Sequence, residues 1–108
     1  MKPLHFFIPT ALDNQEIRIF NEVEKLCGSQ LELLSQYEKL ALAHIFYCYL
    51  HASEDLKDYS LTDALFDALQ SATTLEENQK VCRVIFILDG TSRSKVFNFT
   101  QFVVLHLP

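Results

Sequence analysis

Residues Leu40 to Leu50 read LALAHIFYCYL, eleven positions of which His44 is the only strongly polar one, inside a longer stretch of helical spacing. A helix built from this run is apolar on nearly every side. The fold must therefore cover both of its flanks or leave apolar surface in water. In a chain of 108 residues, where folding buries only about two-thirds of the surface that the unfolded chain exposes, covering both flanks is difficult.

The remaining composition bounds the class. Apolar residues make up 49% of the chain, with nine Phe and only two Gly, so it is neither a disordered tail nor a loop-rich scaffold. One domain, 1–108, is the expectation at this length. The net charge of −5 argues against a nucleic-acid binder that neutralises phosphates and favours a partner with a basic surface. Cys27, Cys48 and Cys82 are odd in number and lack a CxxC spacing, which points to reduced thiols. The start, MKPLHFFIPT, does not read as a signal peptide, and the uncharged stretches fall short of the roughly 20 residues that span a bilayer. A cytoplasmic protein with no membrane contact is expected. Asn98-Phe99-Thr100 matches a glycosylation sequon, which means little without secretion.

The pattern predicts a short strand over 4–8 between Pro3 and Pro9. Asp13 and Glu16 form a capping-box signature. Ile19, Phe20, Val23, Leu26 and Cys27 then recur at helical spacing up to Gly28, giving a first helix over about 13–27. Ser29 and Glu32 repeat the signature and predict a long second helix to about Ala52, forming a hairpin with the first. On its wheel Leu33, Leu34, Tyr37, Leu40, Ala41, His44, Ile45 and Cys48 make a broad core stripe. Leu42, Phe46, Tyr49 and Leu50 form a second stripe opposite, which needs a cover of its own. Leu61, Ala64, Leu65, Ala68, Leu69 and Ala72 mark a third helix opened by Ser60 or Thr62, with Phe66 off the stripe. Thr73 or Thr74 opens a last short helical turn.

Beyond Lys80 the period looks different. Val81–Leu88, VCRVIFIL, is rich in β-branched residues and ends at Asp89-Gly90, a turn signal, while 95–107 alternates. This predicts a β-hairpin with Phe97, Phe99, Val103, Leu105 and Leu107 on its apolar face. The expected fold class is thus α+β: a short N-terminal strand, three helices and a C-terminal β-hairpin, giving a small sheet packed on helices.

No motif announces catalysis. Leu88-Asp89-Gly90-Thr91 resembles the tail of the DxDGT motif of haloacid-dehalogenase phosphatases, but Ile87 stands where that family needs its nucleophilic Asp, so the segment reads as a turn. His44, Cys48, His51 and Asp55 lie along one side of a helix and are zinc-binding types. The rise from His44 to His51 is roughly 10 Å, too long for one ion, so His44 and Cys48 read as core and His51 as near-surface. No catalytic residue, metal or cofactor is assigned, and an enzyme is not expected.

Charge is more informative. Residues 11–79 hold thirteen carboxylates against four cations, a net of −9, whereas 80–108 hold four cations against Asp89, a net of +3. Glu54, Asp55, Asp58, Asp63 and Asp67 crowd the connection into the third helix, where they suit a docking face for a basic protein. LeuThrAspAlaLeuPheAspAlaLeu, 61–69, locally resembles the Asp-Ala-Leu helix of the barstar family, small acidic ribonuclease inhibitors. The likeness spans nine residues, transfers no residue role and favours an inhibitor.

The expected function is therefore a small acidic protein-binding inhibitor: an immunity protein, an antitoxin or a phage-encoded inhibitor of a bacterial enzyme. It would occlude a basic partner with the acidic cluster, using Phe46, Tyr49, Leu50 or Phe66 as anchors. The alternative is a structural or regulatory homodimer joined through the second apolar stripe of the long helix.

Overall fold

Asp13 accepts a hydrogen bond from the Glu16 backbone N–H at 2.8 Å, and Glu16 accepts from the Asp13 N–H at 3.1 Å. This box satisfies two of the donors that a helix start leaves open, and it begins α1 (Asn14–Cys27). A computed structural model describes residues 13–69 and 79–107. Among these residues four more helices follow: α2 (Gln36–Ala52), α3 (Leu61–Leu69), α4 (Gln79–Leu88) and α5 (Arg93–Leu105).

Among the described residues there is no strand, so the expected α+β class is overturned in favour of an all-helical bundle. The predicted hairpin over 81–107 is instead two helices. The helical period is present in both segments. Val81, Val84, Ile85 and Leu88 are buried at i, i+3, i+4 and i+7, and so are Val96, Phe99, Thr100 and Val103. Phe97 and Leu105, which alternation would place beside Phe99, are 46% and 79% exposed. Strand propensity spans only about 1 kcal/mol, while each large apolar side chain sealed in the core contributes about 1.5–3 kcal/mol. Thr100, β-branched and buried, satisfies its hydroxyl by donating to the Val96 carbonyl at 2.7 Å. Asp89-Gly90 is still a turn, but it ends a helix: Gly90 has φ +91°, and the Thr91 N–H reaches the Leu88 carbonyl at 2.9 Å.

The second helix starts six residues later than its first capping signature suggests. Ser35 and Glu38 form the working box, whereas the Glu32 carboxylate turns back to the Gln30 N–H at 2.8 Å. Between them the chain makes a tight turn in which Leu31 takes φ +60°. Leu31 and Leu34 are both buried within this turn. The long turn also dissolves the expected α1–α2 hairpin, because α1 packs chiefly on α4 while α2 lies between α3 and α5.

The long helix is covered mainly along its second stripe, with Leu34 and Ile45 of the expected core stripe buried as well. Leu42, Ala43, Ile45, Phe46 and Leu50 are buried, whereas Leu33, Tyr37 and Leu40 of the presumed core stripe are at least half exposed. His44, expected in the core, is exposed, and Cys48 is half-buried. The centre of the bundle is aromatic. Phe99 of α5 meets Phe20 of α1 and Phe46 of α2 at ring-centroid distances of 5.7 Å each, a range in which tilted and edge-on pairs attract beyond simple burial. The helices α2 and α5 run antiparallel. Lys39 donates to the His106 carbonyl at one end, and Arg93 reaches Ser53 at the other.

The predicted strand over 4–8 and the helical turn after Thr73 or Thr74 lie outside the described residues. Among the described residues no helix is long and apolar enough to cross a membrane.

Candidate functional site at the acidic end of the bundle

The C-terminus of α2, the start of α3 and the α4–α5 turn come together at one end of the bundle. Arg93, at the first position of α5, holds this end. Its Nη2 donates to the Leu50 carbonyl and to Glu54 Oε1, both at 2.7 Å, and its Nε donates to Ser53 Oγ at 2.8 Å. A guanidinium thus supplies donors to the last turn of α2, where carbonyls lack helical partners and the helix dipole favours a cation.

The acidic residues divide by task. Glu54 pairs with Arg93. Asp63 and Ser60 cap α3 reciprocally, each backbone N–H reaching the other's side chain. Asp67 accepts from the Tyr59 hydroxyl. Asp55 and Asp58 are exposed, and their carboxylates have no hydrogen bond or ion pair among the described residues. Their charge faces water, so they are available to a partner.

The apolar residues expected as anchors divide in the same way. Phe46 and Leu50 are sealed in the core, Tyr49 is half-buried at the acidic end, and Phe66 is exposed on α3. Leu56, not singled out in the sequence, is 59% exposed in the same connection.

Between the 57–61 segment and the α4–α5 turn lies a half-open cavity of about 210 Å³, lined among others by Tyr49, Asp58, Tyr59, Asp89, Gly90 and Thr91. Asp89 accepts from the Thr62 hydroxyl at 2.6 Å, which orients its carboxylate. Burial pushes the Tyr49 phenol upward from its ordinary pKa, with Arg93 pulling the other way and Asp89 adding to the rise. Burial, followed by the hydrogen bond to Asp67, pushes Tyr59 to about 12. Both phenols therefore stay protonated at neutral pH. Thr91 is 8% exposed, and its Oγ has no hydrogen-bond partner among the described residues, although buried hydroxyls are nearly always paired.

Sequence reasoning placed the acidic cluster but missed Tyr59, Asp89 and Thr91. Asp89-Gly90 signalled a turn, and no local pattern could say that this turn faces residues some thirty positions earlier. Among the described residues no group of three or more His, Cys, Asp or Glu is placed to hold a metal ion. Cys48 Sγ and His44 Nε2 lie 3.8 Å apart on α2.

Comparison of the chain with known protein families, with curated proteins and with solved structures finds no match.

Proposed function

We propose that this chain is a small acidic protein-binding module that docks on a basic surface of another protein, in the manner of an immunity protein, an antitoxin or a phage-encoded enzyme inhibitor. The observation that carries this reading is the acidic end itself. The Asp55 and Asp58 carboxylates stand in water with no partner among the described residues, on either side of exposed Leu56, and Phe66 is exposed on the α3 helix that follows. Unpaired carboxylates around apolar side chains match the usual plan of an interface, in which apolar anchors contribute affinity and the charged rim sets rate and specificity. Phe46 and Leu50 are core residues, so Leu56, Phe66 and the half-buried Tyr49 are the anchors available. Three free cysteines support a reducing compartment such as the cytoplasm.

The test is capture and identification of the partner, followed by affinity measurements against salt concentration for the natural chain and for Asp55→Lys with Asp58→Lys. These two carboxylates hold nothing in the fold, so their reversal leaves the bundle intact. The reading expects a basic partner whose binding weakens with salt and falls at least tenfold in the double variant. Equal affinity of both chains at low salt overturns it.

A second reading, a homodimer, is favoured by one observation. The second stripe of α2 is occupied inside the monomer, but the outer side presents Tyr37, Leu40 and Tyr47, each about half exposed. Light scattering at micromolar concentration decides it. A dimer that Leu40→Asp converts to a folded monomer supports this reading, and a monomeric natural chain ends it.

A further inference from the structure

His44 and Cys48 stand four residues apart on α2, so their side chains leave the same side of the helix. His44 is exposed and Cys48 half-buried, and the Cys48 Sγ lies 3.8 Å from the His44 Nε2. Zinc bonds of about 2.3 Å to sulfur and about 2.0 Å to nitrogen, opened to the tetrahedral angle, set the two ligand atoms roughly 3.5 Å apart. A small turn of either side chain closes the difference, and the helix already fixes the backbone. Thiolate and imidazole are also donors that zinc favours. Among the described residues no third His, Cys, Asp or Glu joins the pair, so these residues of one chain fill half of a tetrahedral shell.

The stripe around the pair is a separate observation. Tyr37, Leu40, His44, Tyr47 and His51 follow the alternating three-and-four spacing of a helix–helix seam, and Tyr37, Leu40 and Tyr47 are each about half exposed. These five positions and Cys48 include no Lys, Arg, Asp or Glu. In a chain of net charge −5, a second copy can approach along this stripe without setting like charges against each other. A two-fold axis level with Phe46 lays α2 antiparallel to its mate and brings residue 44 of each chain level with residue 48 of the other. A different partner would have to carry a matching pair of ligands, whereas a second copy supplies it by symmetry.

We infer that His44 and Cys48 of two chains hold one zinc ion between antiparallel α2 helices, so that zinc converts this protein from monomer to dimer. The two pairs complete a Cys2His2 set, one of the closed sets of structural zinc sites. Each Cys48 binds as the thiolate and releases its proton to solvent as the metal enters. The inference goes beyond the homodimer reading, in which the apolar stripe suffices without metal.

The experiment uses the full chain, stripped with a chelator and kept reduced by a phosphine, titrated with zinc and followed by calorimetry and light scattering. The expected result is a monomer in chelator and a dimer in zinc, with saturation at one zinc per two chains. Cobalt in place of zinc should show the visible bands of a tetrahedral site and a sulfur-to-metal charge-transfer absorption. His44→Ala removes an exposed side chain and should weaken zinc binding by at least about a hundredfold, the upper end of what losing an outer partner of a ligand costs. Cys48→Ser should do the same and abolish the sulfur absorption, although Cys27 and Cys82 remain as free thiols. Cys48→His keeps two ligands one turn apart on the helix and should restore the zinc-dependent dimer without the sulfur absorption. No saturable zinc binding, one zinc on a chain that stays monomeric, unchanged binding in His44→Ala, or a sulfur absorption that survives Cys48→Ser overturns the inference. A dimer that persists in chelator and is broken by Leu40→Asp also overturns it, and leaves the homodimer reading standing.

Discussion

The two sides of α2 are almost equally apolar, yet one is sealed and the other lies in water. The inner side holds Leu42, Ile45, Phe46 and Leu50, all buried. The outer side holds Tyr37, Leu40, His44 and Tyr47, all exposed. Total hydrophobicity does not separate them, but polar tips do. The four inner side chains are pure hydrocarbon, whereas three of the four outer ones end in a hydroxyl or an imidazole. Burying a phenol or an imidazole without a hydrogen-bond partner costs roughly 1–3 kcal/mol in proteins, enough to orient a helix whose two flanks otherwise compete.

This comparison can be broken most directly at adjacent residues. Phe46→Ala should cost about 3–5 kcal/mol of stability, because it opens a cavity against Phe99, whereas Tyr47→Ala should stay within about 0.5 kcal/mol. Urea denaturation of the two variants measures the contrast, and similar losses would mean that both flanks are covered.

The turn before α2 sets the rotation of the helix, and it offers the next largest effect. Gly28 has φ +83° and ψ 160°, a region essentially reserved for glycine. A Cβ there would also meet the Glu32 carboxylate. Gly28→Ala should cost about 1–3 kcal/mol, read by the same denaturation curves.

Which capping box works is a smaller matter. Ser35→Ala removes the acceptor for the Glu38 N–H and should cost about 1 kcal/mol, visible as a lower denaturation midpoint. An unchanged midpoint would argue that the helix begins elsewhere.

The last effect is invisible at neutral pH. Burial pushes the Cys27 thiol from 9.0 to about 12, and Tyr59 rises to about 12 from 10.0. Both folded values lie above the unfolded ones, so the unfolded chain gives up these protons first. The stability that the two groups contribute is fully present below about pH 9 and is lost as pH rises towards 12. Denaturation midpoints should hold steady up to about pH 9 and then decline. A chain with Cys27→Ala should lose part of that decline, and an identical profile would remove burial of this thiol as its cause.

The helices α1 and α3 were legible because local signals agreed: a cap, a stripe and a stop for α1, and a Ser60 or Thr62 start with an alanine-rich stripe for α3. The last two helices were not, because β-branched residues and a chance alternation of Phe97, Phe99, Val103 and Leu105 outweighed the period that Val96, Phe99, Thr100 and Val103 also carry. The acidic part of the candidate site was legible, since Glu54 to Asp67 are close in the chain. The cavity was not, because Asp89 and Thr91 reach it only through the packing of α4 and α5 against the rest of the bundle.

From its sequence alone this protein is a folded, acidic chain with capped helices and an apolar run too rich to hide entirely. Those are properties of composition and of neighbours within a few residues, and they hold whatever the chain packs against. Tertiary structure decided the all-helical class, the side of α2 that faces inward and the meeting of Thr91 with Tyr49 and Asp58. Each of these depends on surfaces far apart in the chain, where burial of whole helical faces outweighs propensities of about 1 kcal/mol.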